Sequence, residues 1–423
     1  MTRLVSAIRS ALAYLIFLPN VTPARVLFKS EIFPWAFLFS IRRNLKIPKV
    51  YIYFVLYLLL NTIILGSSSG ILVPTRALFA LINSSFIFIV IQNLKEEEYT
   101  KVTKALNVIF GLILLTGLIQ YLGVFPEWLA DVLRLFIDRI QTTADIRGVS
   151  GLYSEPAYMS YAVHSFFLFW LFKSRIDPHS KKGVMALLLL AIYDLIIIRS
   201  LTDVILLSII ILAIQKKKNI FKTVLIFATV FLSAYIYFDG HPSPPRSIDA
   251  IHDFIDNQHY RDPLPWLLDF SGFRLASVWG SYRYGIINPF GCGLGNWGRA
   301  SIDAIDGIGI DLSGLSYFAA QIGIDYPGVR PSSFAADLML ETGVVGFVLF
   351  VSVMAPFLFS KKLFLNMNTR PILACFAFNC FFLGTIGDPI PFITFGMVCR
   401  EMKLQHPWSK IELFKSIKTN EDT

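Results

Sequence analysis

Lysine and glutamate are both missing from the longest polar stretch of the chain, residues 239–334, which holds six arginines, ten aspartates and three histidines. Cysteine is scarce. Cys292 stands alone outside the apolar runs and Cys375, Cys380 and Cys399 lie within them, so neither a disulfide framework nor metal-ligand spacing is implied. No polar segment interleaves basic with aromatic residues, which removes nucleic acid as a partner despite a net charge of +9. No small-residue cleavage site follows Arg3, Arg9 and the run Leu12–Leu18, so the N-terminus is expected to be a signal anchor or first span. Internal repeats and low-complexity tracts are absent as well.

What is abundant is apolar sequence: 55% of residues are hydrophobic and the mean hydropathy is +0.60. Apolar runs of spanning length recur, so the 423 residues read as one polytopic, all-α integral membrane protein. About twelve spans are expected, near 4–19, 24–41, 49–66, 71–92, 102–123, 156–172, 183–199, 201–215, 220–238, 335–358, 371–387 and 389–401. Eighteen of nineteen lysines, all but Lys29, then fall in alternate loops and in the C-terminal tail. By the positive-inside rule those loops are cytoplasmic, and an even number of spans puts both termini there.

The opposite loops hold Arg76, Arg134, Arg139, Arg147, Arg199, Arg246, Arg261, Arg274, Arg283, Arg299 and Arg330. A guanidinium grips phosphate or carboxylate with a planar fork, which an ammonium does not. Arginine without lysine on one face therefore suggests a pyrophosphate or acidic-sugar site facing away from the cytoplasm. The organisation expected is N-terminal spans over 1–238 with a first outer loop near 124–155, a large outer loop over 239–334, C-terminal spans over 335–401, and a cytoplasmic tail over 402–423. In the first loop, the run from Glu127 to Arg139 is amphipathic and suited to the membrane interface.

Five motifs carry chemistry. At the mouth of the sixth run, Arg147-Gly-Val-Ser-Gly-Leu-Tyr-Ser-Glu-Pro places Ser154 to cap a helix starting near Pro156, with Glu155 at the positive end of its dipole. That is either a plain capped helix or a site in which Arg147 binds an anion and Glu155 orients a hydroxyl. In Phe273-Arg-Leu-Ala-Ser-Val-Trp-Gly-Ser-Tyr-Arg, we expect Arg274 and Arg283 to share one side of a helix to within a quarter turn. Trp279 and Tyr282 there offer surfaces for sugar stacking, unless this is an amphipathic helix with solvated arginines. The alternate glycines Gly291, Gly293 and Gly295 can bring backbone N–H groups close to a ligand, although many turns look the same. Asp337 and Glu341, four apart after Arg330, share a helix face at the membrane surface. Finally, Asp194, Arg199 and Asp203 flank a turn between two spans, as an intramembrane functional group or as a structural ion pair in which Arg199 reaches either acid.

In this order, Gly151-Leu-Tyr-Ser-Glu-Pro, Arg199-Ser-Leu-Thr-Asp, Asn288-Pro-Phe-Gly-Cys-Gly-Leu-Gly and Leu340-Glu-Thr-Gly-Val-Val-Gly resemble the O-antigen polymerase and ligase superfamily of bacterial surface-polysaccharide synthesis. The likeness covers roughly 147–360. It is closer to the Wzy-type polymerases, because the His-Asn pair that ligases carry before the Glu-Thr-Gly helix is here replaced by Arg330-Pro-Ser-Ser. The resemblance implies a GT-C-like membrane glycosyltransferase in the bacterial inner membrane. It implies transfer of a glycan from its undecaprenyl diphosphate carrier to another carrier-linked repeat unit at the periplasmic face, without metal, nucleotide sugar or other cofactor. It also implies membrane lipid, a chain-length regulator and a flippase as partners.

On that reading Arg274, Arg283 and Glu155 are the expected catalytic groups. Arg147, Arg330, Arg199, Asp203, Gly291, Gly293, Gly295, Trp279 and Tyr282 are expected to bind substrate, with His252 and His259 as reserve bases. An O-antigen ligase acting on lipid A core is the nearest alternative. A transporter or flippase is the second, but it calls for repeats and midplane acids on broken helices. An enzyme using single lipid-phosphate sugars calls for an acidic pair in its first outer loop, and residues 67–71 have none.

Overall fold

The computed structural model describes residues 2–23, 32–40, 45–66, 70, 72–140, 142–143, 148–215, 253–258, 261, 266–267, 274–309, 330–404 and 410–413. Those residues are mostly helical. Helices α1 (Thr2–Leu15), α2 (Trp35–Ser40), α3 (Lys49–Leu65), α4 (Leu72–Asn93) and α5 (Glu96–Tyr121) precede a short α6 (Glu127–Arg134). Then come α7 (Pro156–Lys173), α8 (Lys181–Tyr193) with a π-helical turn at Asp194–Ile198, and α9 (Leu201–Ile214). After the polar segment follow α10 (Arg274–Ile287), α11 (Trp297–Asp306), α12 (Phe334–Leu358), α13 (Lys361–Leu365), α14 (Arg370–Phe381) and α15 (Ile390–Glu401).

Three of these, α4, α5 and α12, are long and apolar enough to cross a membrane. Helices α3, α9 and α14 are apolar but shorter. The described part of the run near 24–41 is helical only over the six residues of α2, and the run near 371–387 stops at Phe381. The run near 220–238 lies outside the described residues, as do much of 239–334, including His252 and His259, and most of the tail. The tail does contribute one strand: Leu45–Pro48 pairs antiparallel with Lys410–Leu413. The interfacial run is helical only as far as Arg134, with Trp128, Val132 and Leu135 exposed along it.

The bundle is held by aromatic packing. Phe334, Phe350 and Phe392 interlock at centroid distances of 4.8–6.3 Å, and Phe376 lies flat on Phe395 at 4.2 Å. Outward faces are apolar too, as with Leu56, Leu60, Ile63 and Ile64 on α3 and Met185, Leu188, Leu189 and Ile192 on α8. Contiguous exposed patches of this kind suit lipid rather than water.

A backbone N–H or C=O in such an environment needs an internal partner. Three amide side chains on apolar helices supply it. Asn61 donates to the Phe290 carbonyl and accepts from Leu294 N–H. Asn83 donates to Gly387 O and accepts from Phe37 N–H. Gln120 brackets Gly151, accepting from its N–H and donating to its carbonyl. Each fastens a neighbouring segment to an apolar helix.

Helix α12 is broken at Gly343, whose φ of 66° and ψ of −171° lie in a region that essentially only glycine enters. The break frees carbonyls, and residues 288–295 take them. Cys292 N–H donates to Leu340 O and Gly293 N–H to Glu341 O, while Val345 N–H donates to Pro289 O. Tyr57 covers the Thr342 carbonyl with a 2.7 Å bond. A Cβ at Gly343 would sit 2.1 Å from the Pro289 carbonyl oxygen, whereas one at Gly298 in α11 meets nothing within 4 Å. Gly343→Ala is therefore expected to destabilise by at least ~2–3 kcal/mol. A fall of several degrees in the unfolding midpoint in detergent checks this, with Gly298→Ala leaving the midpoint in place.

Candidate functional site

Among the described residues, Arg139, Arg199, Arg274 and Arg330 gather at one end of the bundle, and Lys46 and Lys173 lie at the other, together with Arg400. At the latter, Lys173 pairs with Glu401, Arg400 pairs with Glu96 at 3.0 Å, and Asn93 bonds the Lys46 backbone. At the former lie the starts of α7, α9 and α12, the glycine turns at 291–295 and the beginning of α10.

Two charge clusters form there. In the first, Glu155 is the residue before α7, in extended backbone, with Pro156 opening the helix. Its carboxylate takes no part in capping. Oε1 accepts from Arg139 at 2.9 Å, and Oε2 lies 3.9 Å from the Arg274 guanidinium. The expected cap does not form either, because Ser154 Oγ accepts instead from buried Asn20 at 3.1 Å. Glu155, Arg139 and Arg274 keep about 30%, 60% and 41% of their side chains exposed. Arg139 Nε also lies 3.9 Å from Asp138 Oδ2, so this open cluster sets two guanidiniums beside two carboxylates at the solvent-facing mouth of α7.

Arg139 was not among the expected site residues. It sits just beyond α6 with a positive φ of 56°, and sequence spacing does not reveal that this turn aims it at Glu155. Arg147 lies outside the described residues, although neighbouring Gly148 packs against the Ile198 carbonyl so closely that a Cβ would be 1.5 Å away.

The second cluster is buried. Arg330 Nε donates to Asp337 Oδ1 at 2.9 Å and its Nη2 to Glu341 Oε1 at 3.3 Å, while Gly295 N–H also donates to Glu341 Oε1 at 3.0 Å. The ring of Trp297 lies 5.9 Å from the guanidinium carbon. Burial works against the Arg330 charge, but the two carboxylates more than offset that and hold its pKa above the ordinary value. Both acids are fully buried, so Arg330 is committed to them, its single charge offsetting one of the two carboxylates. The three glycines serve the same joint: added Cβ atoms would meet the Glu341 backbone at Gly291, Leu65 at Gly293 and Pro74 at Gly295. Their positive φ values and N–H groups fit protein to protein, which corrects the expectation of a ligand cradle. Burial, and then the charges of Glu341 and Asp337, push the Cys292 thiol well above its usual range, so it offers no thiolate nucleophile.

Helix α10 divides the remaining residues. Nine residues are two and a half turns at 3.6 per turn, so Arg274 and Arg283 leave opposite faces, and the shared side expected above is wrong. Arg274 reaches Glu155, whereas exposed Arg283 shares its face with Trp279, four residues earlier and 46% exposed. Tyr282 is turned inward: its hydroxyl donates to Phe381 O at 2.6 Å and its ring meets Phe347 edge-on.

Arg199 also departs from expectation. It ends the π-turn with φ 56°, donates to Ile196 O and covers the Tyr121 ring at 5.4 Å, so it bridges neither acid. Asp194 and Asp203 converge instead on His164, at 3.0 and 3.8 Å. Sequence reasoning overlooked His164. The available signal was an ionisable residue deep in an apolar helix, a functional candidate by default.

Compared with protein-family models, with curated proteins and with solved structures, the chain matches none. The buried joint yields a direct test. Arg330→Met strands two buried carboxylates and is expected to cost about 3–5 kcal/mol. Adding Asp337→Asn and Glu341→Gln to that variant should recover most of the loss, read as the unfolding midpoint in detergent.

Proposed function

We propose that this chain is a membrane glycan polymerase that transfers a polyprenyl-diphosphate-linked glycan onto a second lipid-linked repeat unit. The reading places the arginine-rich end at the periplasmic face of a bacterial inner membrane and both termini in the cytoplasm. The observation that carries it is the exposed Arg139–Glu155–Arg274 cluster at the mouth of α7, in loops that hold arginine almost without lysine.

In such a transfer an acceptor hydroxyl attacks the anomeric carbon of the donor glycan. A new C–O bond forms as the bond to the diphosphate breaks, and the departing oxygen gathers negative charge. The guanidiniums of Arg139 and Arg274, gathered at Glu155, offer donors to that charge, the usual form of electrostatic assistance in such transfers. Glu155 orients the hydroxyl, or accepts its proton, while holding Arg274 in place. Trp279 and Arg283, on the far face of α10, suit a glycan chain extending away from the reacting centre. Arg147 belongs to the same loop as Glu155 and is assigned to the diphosphate on that ground. Arg330, Asp337, Glu341 and the three glycines support the site by fixing the bend of α12 rather than by touching substrate. A chain-length regulator and a flippase are the partners this reading calls for.

Loss of one preorganised donor costs roughly 3–4 kcal/mol of transition-state stabilisation, or about 10²–10³ in rate. In a host deleted for the gene, wild type should restore the long-chain surface polysaccharide ladder. Arg274→Ala should leave core bearing a single repeat unit, with Arg274→Lys intermediate. Bare core with long chains retained on the lipid carrier would make the protein a ligase, and an unchanged profile would remove it from this pathway. A single displacement also predicts inverted configuration at the anomeric carbon. Trapping a covalent glycosyl–protein adduct would contradict that prediction.

A further inference from the structure

His164, Asp194 and Asp203 lie outside the cluster assigned to transfer, about 13 Å along α7 from Glu155 at 1.5 Å per residue. Each is 1% exposed or less at its side chain. His164 Nδ1 sits 2.8 Å from the Ser160 carbonyl, which can only accept, so Nδ1 carries a proton. In the neutral ring, Nε2 is then a bare lone pair. It faces Asp194 Oδ2 at 3.0 Å, and neither atom has an aligned hydrogen-bond partner. Asp194 Oδ1 and Asp203 Oδ1 are also without hydrogen-bond partners, while Asp203 Oδ2 accepts from Ser200 N–H at 3.2 Å. One ligand atom from each of the three residues lies within 4.8 Å of the others, and Asp203 Oδ1 stands 3.8 Å from Nδ1, so sharing one ion at bond lengths of ~2.0–2.2 Å takes a small inward shift of the side chains.

The charge does not balance as the side chains stand. Two carboxylates face one imidazole, and the nearby Arg199 is turned onto Ile196 O and Tyr121. A proton shared between His164 and Asp194 leaves Asp203 either charged in the apolar interior, which is costly, or protonated and neutral. A dication bound by neutral imidazole and two carboxylates leaves none. The Nδ1–H bond to a backbone carbonyl is the outer-shell contact that orients metal-ligating histidines. The backbone is shaped to the same end, since the π-turn at 194–198, a feature often found at functional sites, swings Asp194 toward α7.

We propose that His164, Asp194 and Asp203 bind one transition-metal dication, Zn²⁺ or Mn²⁺, that clasps α7, the π-turn and α9. One nitrogen and two carboxylate oxygens suit these borderline ions better than Ca²⁺, which takes six to eight oxygens. The ion's role is structural, and the proposal stands independently of the polymerase reading.

The test uses the full chain in detergent, purified without chelator or polyhistidine tag, and reads metal content together with the unfolding midpoint. Elemental analysis should find about one Zn²⁺ or Mn²⁺ per chain. Chelation should remove the ion and lower the midpoint by several degrees, and either metal should restore it. His164→Gln and Asp194→Asn should lose the ion, while His179→Ala, at an exposed histidine, should keep it. If a variant does not fold, the stripped and reloaded wild type still decides. Wild type carrying less than a tenth of an ion per chain, with a midpoint unmoved by added Zn²⁺ or Mn²⁺, overturns the proposal. Metal retained in full by both folded variants overturns it as well.

Discussion

The broken helix at Gly343 is the joint on which the arginine-rich end depends. An apolar bundle allows no unpaired carbonyl, so opening α12 obliges the chain to return and close it. Residues 288–295 do so with backbone bonds to Leu340 and Glu341, and Asn61 on α3 anchors the same turn. Once that turn is fixed, α10 before it and α11 after it are fixed too. The position of Arg274 beside Glu155 is thus a consequence of hydrogen-bond accounting about seventy residues later in the chain.

Two kinds of charge share this end and behave differently. Arg330 is enclosed with two acids and a glycine N–H, a buried arrangement whose value lies in specifying one geometry rather than in net stabilisation. Arg139 and Arg274 are exposed beside Glu155, with Asp138 also near Arg139, so their pairing is weak and their guanidiniums can exchange these carboxylates for an incoming anion. The division gives a buried support beneath and an exposed, arginine-bearing mouth above. That is what transfer from a lipid diphosphate at a membrane surface would require.

Much of this was legible in the sequence where the physical signal is local. Apolar runs located α3, α4, α5, α7, α9 and α12 to within a few residues, and Pro156 marked the start of α7. Lys46 and Lys173 lie at the end opposite Arg274 and Arg330, but Arg400 lies with them. Signals that depend on tertiary placement were not legible. Ser154 has the chemistry of a cap, but Asn20, far away in sequence, uses its hydroxyl. Alternate glycines look alike whether they cradle a ligand or a neighbouring helix, and here they cradle α12. The nine-residue spacing of Arg274 and Arg283 is readable in the sequence and sets them half a turn apart, not on one side. His164 became meaningful only when a π-turn, which no propensity predicts, delivered Asp194 to it.

The most direct test of the central claim is reconstitution of the purified protein in liposomes with a single class of polyprenyl-diphosphate-linked repeat unit. No nucleotide sugar is supplied, and the lipid-linked glycans are sized over time. Polymerase activity predicts a ladder of carrier-linked oligomers in steps of one repeat, with one free polyprenyl diphosphate released per step. Repeat units that stay monomeric, whether left in place or moved intact across the bilayer, would contradict it.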